Sequence, residues 1–362
     1  MKKIAILTFH NACNYGAFLQ AKALLEFIGA KDNVEAYIID YKNKNIIEDY
    51  SIKSIFSLKQ NLRTTFLKML RIIDILKRNK IFEQYQKETF NMIKIDEINN
   101  LKIDKVIVGS DQVWNFELTD YDMNYFLPFV KSECRVSYSA SAGSIKEDDE
   151  TKKIYEKYLN EFNAISVREK ELANLINTLE INKKAITCLD PVFLKTKAEW
   201  ETYACLENKS SSKYILVFIM GVSKQADKIV DAAVKCANEN NLHILILGDQ
   251  ERWYKYRHIK HYGVASPREF IRLIAEATCF FTNSFHATAF SIILNKAFYT
   301  EMNISNNERI QALLDIVGLE SRIMKNGKME YLYTTDIDWK RVNNKLEIAI
   351  MKSKEFLEKS IQ

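Results

Sequence analysis

The sequence predicts an α/β protein of two domains, each built on a parallel sheet. Three observations carry this expectation. Short apolar runs alternate with stretches of helical spacing along most of the chain. The alternation pauses at Asp190-Pro191 and restarts with a new apolar run near residue 213. The length, 362 residues, suits two domains.

The first strand is Lys3–Phe9, followed by helical spacing over Tyr15–Ile28 and a second strand, EAYIID, at 35–40. KVIVG (105–109), CRVSYSA (134–140), AISVR (164–168) and AITCL (185–189) are further strands, and helical stretches at 146–162 and 169–178 separate the later ones. In the second half KYILVFIM (213–220), LHILILG (242–248) and CFFTN (279–283) read as strands, with helices at 224–240, 266–277 and 285–294. The 266–277 helix opens on a Ser cap with Pro at its first position. The expected domains are 1–195 and 196–336, with a terminal helix, 337–362, packing back on the first.

Composition excludes several classes. Hydrophobic residues make up 47% and charged residues 27%, as in ordinary globular proteins. The 52 basic and 47 acidic residues leave a net charge of +5, too mild for a nucleic-acid binder. Six cysteines, at 13, 134, 188, 205, 236 and 279, form no C-x-x-C pair and have no His at zinc-finger spacing. They are expected to be free thiols in a reducing compartment, with no metal site. The opening MKKIAILTFHN has too short an apolar run for a signal peptide, and no later run approaches the ~18 apolar residues of a membrane span. A cytoplasmic location is expected; oligomeric state is not encoded in any motif.

One segment interrupts the alternation. Residues 51–82 carry Lys53, Lys59, Arg63, Lys68, Arg71, Lys77, Arg78 and Lys80 against a single acid, Asp74. Leu62, Phe66, Met69, Leu70, Ile73 and Leu76 fall on one helical face. Such a helix, near 59–80, either packs on its domain with a solvated basic face or lies on an anionic membrane.

In doubly wound sheets ligands bind beyond the carboxyl ends of the strands. After the first strand, His10, Asn14 and Gly16 lead into a helix, where Asn14 is a ligand contact or a plain cap. After Val108 the run GSDQVWN supplies Asp111, Gln112 and Asn115 as hydroxyl partners. Its Trp114 is either a sugar-stacking face or a packing anchor. Ser139, Ser141 and Gly143 follow the next strand, and Arg168 ends another, where it suits a phosphate or carboxylate. In CFFTNSFHATAF, His286 lies in the first turn of a helix beside Asn283, Ser284 and Thr288, poised as a general acid or base. Arg309 begins a later helix, where a cation calls for a nearby anion, and Arg322 follows that helix. His243 sits within a strand, and His258 and His261 lie in a Tyr- and Arg-rich loop. No G-x-S-x-G, P-loop or G-x-G-x-x-G motif occurs.

Seven stretches together, NYGAFLQAKAL, VIVGSDQVWN, VSYSASAG, ISVREK, LDPVFLK, TNSFHATAFSIIL and NERIQALLDIVGLESR, occur in the order and spacing of the bacterial polysaccharide pyruvyl transferase family. The chain resembles that family over about residues 3–322. The resemblance implies two Rossmann-like domains facing a cleft, as in GT-B glycosyltransferases. It implies transfer of the enolpyruvyl group of phosphoenolpyruvate to a sugar or lipid-linked oligosaccharide, with no cofactor. On that basis His286 is the acid and Asp111 the acceptor's partner. The donor would be held by Arg168, Asn283 and Ser284, and the acceptor by Asn14, Gln112, Trp114, Asn115 and Ser139. Some members carry Arg-Leu-His where this chain has Ser284-Phe285-His286, so Arg309, then Arg268, is the expected substitute for the missing arginine. Two rival readings share the fold: a glycosyltransferase binding a nucleotide sugar near Gly248-Asp249, and a non-catalytic scaffold at a membrane.

Overall fold

A computed structural model of the chain describes residues 1–49, 64–145, 147–206, 213–221, 224–248, 259–301, 307–325, 327–329 and 336–362. The chain forms two compact units. The first comprises Met1–Tyr50, Glu83–Lys195 and Leu346–Gln362, and the second Ser51–Phe82 and Thr196–Lys345.

In the first unit the described strands are β1 (Lys2–Leu7), β2 (Val34–Ile39), β3 (Met92–Ile93), β4 (Lys105–Val108), β5 (Arg135–Ala140), β6 (Ala164–Val167) and β7 (Ala185–Thr187). They form one parallel sheet in the order β3-β2-β1-β4-β5-β6-β7. Parallel pairing requires crossovers, which cover both faces of the sheet. Hence β1 and β4 read as apolar runs once past their opening lysines, with Ile4, Ile6, Leu7, Val106, Ile107 and Val108 fully buried. The order reverses between β1 and β4. Leu7 pairs with Val108 there, so Thr8 and Gly109 leave the sheet side by side.

The second unit repeats the plan. Its strands β8 (Tyr214–Phe218), β9 (His243–Leu247), β10 (Lys260–Tyr262), β11 (Cys279–Thr282) and β12 (Phe298–Thr300) pair in parallel in the order β10-β9-β8-β11-β12. This order reverses between β8 and β11, where Phe218 pairs with Thr282. Two of its helices start on complete capping boxes, Thr196 with Glu199 and Ser266 with Glu269, so their first amides are satisfied locally.

Two placements differ from the expected domains. Ser51–Phe82 groups with the second unit rather than the first. The helix Thr64–Thr89 sets Asp74 against Gly263, just past β10, a contact that chain order does not reveal. His261 lies on β10 rather than in a loop, and His258 and Asp249 lie outside the described residues. The terminal helix, Trp339–Ser360, groups with the first unit from Leu346 onward. There the Ser353 hydroxyl accepts from the Leu189 amide at 2.9 Å.

All six cysteines are free, with Cys188, Cys236 and Cys279 buried and Cys205 exposed. Burial pushes the Cys188 and Cys236 thiols up to about 11, so little thiolate forms near neutral pH. A chromogenic disulfide reagent at about pH 8 is therefore expected to label Cys205 first and the three buried thiols only after denaturation. Fast labelling of Cys188 in the native protein would contradict this packing.

Candidate active site

At the β1/β4 crossover the loops are tied together by polar side chains. The Thr8 hydroxyl donates to the Ser110 carbonyl at 3.1 Å and accepts from the Gln20 amide at 2.8 Å. The Ser110 hydroxyl donates to Asp190 at 2.9 Å and accepts from Arg168. Arg168 also ion-pairs with Asp190, and the two side chains are 3% and 0% exposed. Gly109 makes this convergence possible. Its φ is +118°, and a Cβ there would stand 2.2 Å from the Tyr138 carbonyl oxygen.

The next residues form a shelf beyond the sheet. The Ser141 amide donates to the Asp111 carbonyl and the Trp114 amide to the Ser141 carbonyl, both at 3.0 Å. Asp111, Gln112 and Asn115 are half-buried. Asp111 accepts from the Gln112 amide at 2.9 Å, and Asn115 donates to the Gln112 side chain at 2.8 Å while capping the helix Phe116–Thr119. Gly143 closes the shelf, because a Cβ there would sit 2.2 Å from Gln112 Oε1. The buried His10, after β1, bridges the Thr8 carbonyl and Asp40, each at 3.3 Å. The hydrogen bond from His10 holds the Asp40 carboxyl below its usual range, and Lys42 adds to this.

Three expected contacts are corrected here. Trp114 is 1% exposed, stacks on Phe126 at 5.4 Å and donates from its indole to the Tyr125 carbonyl, so it has no face left for a sugar. Ser139 is fully buried and donates to the Cys188 carbonyl at 3.2 Å. Arg168 ion-pairs with Asp190 and donates to Ser110, so its charge ties loops together at the sheet edge. Asn14 caps the helix Tyr15–Gly29, accepting from the Gly16 and Ala17 amides, and keeps partial exposure.

At the β8/β11 crossover of the second unit, Asn283 plays the tying role. Its amide accepts from the Met220 N–H at 2.7 Å and donates to the Met220 carbonyl at 2.9 Å. Thr282 donates to the Phe218 carbonyl and accepts from the Ser284 amide. Ser284 then caps the helix Phe285–Ile293. His286 stands in the first turn, edge-on to Phe285 at 5.3 Å, and the buried Arg309 guanidinium lies 5.8 Å from the same Phe285 ring. Imidazole, arginine and helix N-terminus thus meet around Phe285, an arrangement suited to an anion that needs a proton. Arg268 is exposed and lies over Tyr203, 5.6 Å from its ring. Arg322 is buried beside Tyr299.

Sequence reading missed Thr8, Gln20, Ser110 and Asp190 as one network. Only Asp190 had a local signal, as a cap before Pro191. It also missed the buried Glu301, which follows β12 and accepts from the Gly327 amide at 3.2 Å.

Two parallel sheets of Rossmann-type order define the class as GT-B-like. The chain is similar to UDP-GlcNAc 2-epimerase from Neisseria meningitidis bound to UDP-GlcNAc, with TM-score 0.54, 10% identity and 99% of each chain covered. It is also similar to the 2-epimerase from Rickettsia bellii, with TM-score 0.52, 11% identity, and 100% and 97% coverage. S. aureus MnaA with UDP gives TM-score 0.50 at 12% identity, with 96% and 91% coverage. At such identities the likeness speaks for the fold alone. A search of curated proteins returned no match. The polysaccharide pyruvyl transferase family model matches residues 14–300, more than half of the chain, and the chain belongs to that family. It is accordingly a transferase of polysaccharide biosynthesis.

Breaking one side of a buried ion pair costs ~3–5 kcal/mol, because the remaining charge stays buried. Asp190→Ala is expected to lose stability on that scale in urea unfolding, while Arg268→Ala, on an exposed side chain, stays within about 0.5 kcal/mol. Equal losses in the two variants would contradict the assignment of Arg168 as an anchor.

Proposed function

We propose that the protein transfers the enolpyruvyl group of phosphoenolpyruvate to a sugar of a cell-surface polysaccharide, or of its lipid-linked precursor, forming a cyclic pyruvate ketal. The observation that carries this reading is the meeting of His286, Arg309 and a helix N-terminus around Phe285, within or next to the family-matched span. Phosphoenolpyruvate is a compact polyanion whose C3 must accept a proton before C2 reacts. A cation and a helix start favour the anion, and an imidazole supplies the proton.

The step balances with two sugar hydroxyls. His286 gives a proton to C3, and C2 gains oxocarbenium character. One hydroxyl oxygen bonds to C2, and its proton passes to a base, for which Asp111 is the candidate. The C2–O bond to phosphate then breaks, and the second hydroxyl closes the ketal. One hydroxyl proton replaces the one delivered to C3, and the other leaves with phosphate. Gln112, Asn115 and Asn14 are the neutral groups assigned to orient the acceptor. Arg309 takes the donor-holding role first assigned to Arg168, and Asn283 and Ser284 set the turn that presents His286.

Calorimetry with phosphoenolpyruvate tests the donor assignment. Wild type is expected to bind. Arg309→Ala should bind about 10- to 100-fold more weakly, the scale of one charge-assisted contact. His286→Asn should keep binding but lose about 10²–10⁴ in phosphate release with an accepted sugar. A wild type that ignores phosphoenolpyruvate and binds a uridine diphosphate sugar would overturn the reading.

A further inference from the structure

The helix Thr64–Thr89 carries an inverted pattern of burial. Ile75 is 3% exposed and Phe82 fully buried, yet Ile73 and Leu76 are 60% and 53% exposed. At helical period Ile73, Leu76, Lys77 and Lys80 share one arc, and Ile75 and Phe82 lie on the opposite one. Lys77 and Lys80 are also exposed. Asp74 is drawn aside, since a Cβ built on Gly263 would stand 3.3 Å from its carboxylate, and the exposed Glu83, one turn beyond Lys80, pairs with Lys87 at 2.6 Å. The outward arc therefore combines two large aliphatic side chains with two cations.

We propose that this arc is a docking surface for an anionic lipid membrane. Exposed aliphatic side chains are ordinary when scattered, but a row of them on one arc marks a contact surface. Here the flanking charges choose the occupant. Ile73 and Leu76 enter the boundary between headgroups and acyl chains, while the lysine stems lie along it and carry their ammonium groups to lipid phosphates. A second copy of the chain fits less well, because a two-fold contact through this arc would set Lys77 and Lys80 against their own counterparts. Among the described residues no helix is long and apolar enough to cross a membrane, so the contact is one of surface attachment. The inference is independent of the donor assignment.

Co-sedimentation of the full chain with phosphatidylcholine vesicles, with and without phosphatidylglycerol, tests it. Binding is expected only with phosphatidylglycerol, and it should fall as salt is raised from low to high. Lys77→Ala with Lys80→Ala should weaken partitioning by about thirtyfold, from ~1 kcal/mol per lysine near the surface. Ile73→Asp with Leu76→Asp should abolish it. Both pairs face outward, so thermal midpoints should match wild type. If a variant unfolds, the salt and lipid dependence of the wild type still decides. No sedimentation of wild type with anionic vesicles at low salt overturns the proposal. So does a dimer in velocity sedimentation that the Ile73/Leu76 variant makes monomeric while vesicle binding is unchanged.

Discussion

A parallel sheet covered on both faces leaves few places for polar chemistry. Its strands are mostly apolar, because each face meets helices rather than water, and the buried hydroxyls they do carry, such as Ser139, bond to backbone carbonyls. Reactive side chains are pushed to the carboxyl ends, and the sequence order of the strands decides which ends open a crevice. In this chain the reversal falls between β1 and β4 in one unit and between β8 and β11 in the other. At both places the two strands end in register, so two loops leave together. Polar contacts tie the loops at each reversal: Thr8 to Ser110 in the first unit, Asn283 to Met220 in the second.

The two crossovers solve the same problem with different chemistry. The first uses a buried ion pair, Arg168 with Asp190, joined to Ser110. Such a pair is a costly way to gain stability, but it fixes geometry when its remaining hydrogen bonds are made. It holds the base of the shelf that carries Asp111, Gln112 and Asn115. The second uses neutral groups, with Asn283 bonded to a main chain and Thr282 and Ser284 shaping the turn. Around Phe285 this frame sets the start of the helix Phe285–Ile293 and the Arg309 guanidinium, while the buried Glu301 lies at the same sheet edge.

Much of this was legible in the sequence, for a physical reason. Apolar runs such as Val106–Val108 and Cys279–Phe281 can only be covered strands, and the polar residues after them must then lie at the sheet's edge. That logic located the loops holding Asp111 and His286. It did not show which way a loop side chain turns. Trp114 looked equally suited to a sugar or to the core, and the ring of Phe126 beside it settles the matter. Arg168 looked like an anion ligand because Asp190, its partner, lies one strand away and arrives only through folding. Ser139 lies at φ +50° with its hydroxyl turned toward Cys188, which periodicity does not encode. The grouping of residues 51–82 with the second unit likewise depends on a tertiary contact, Asp74 against Gly263.

The central claim is that the β8/β11 crossover receives the anionic donor. Amide hydrogen exchange with and without phosphoenolpyruvate tests it most directly, because it reads the position of the ligand without needing the acceptor. The account predicts slowed exchange in the segment from Asn283 to Thr288 and at the start of the helix Asn307–Val317, with little change around β10. Protection confined to other strand ends, with the Asn283–Thr288 segment unchanged at saturating donor, would contradict it.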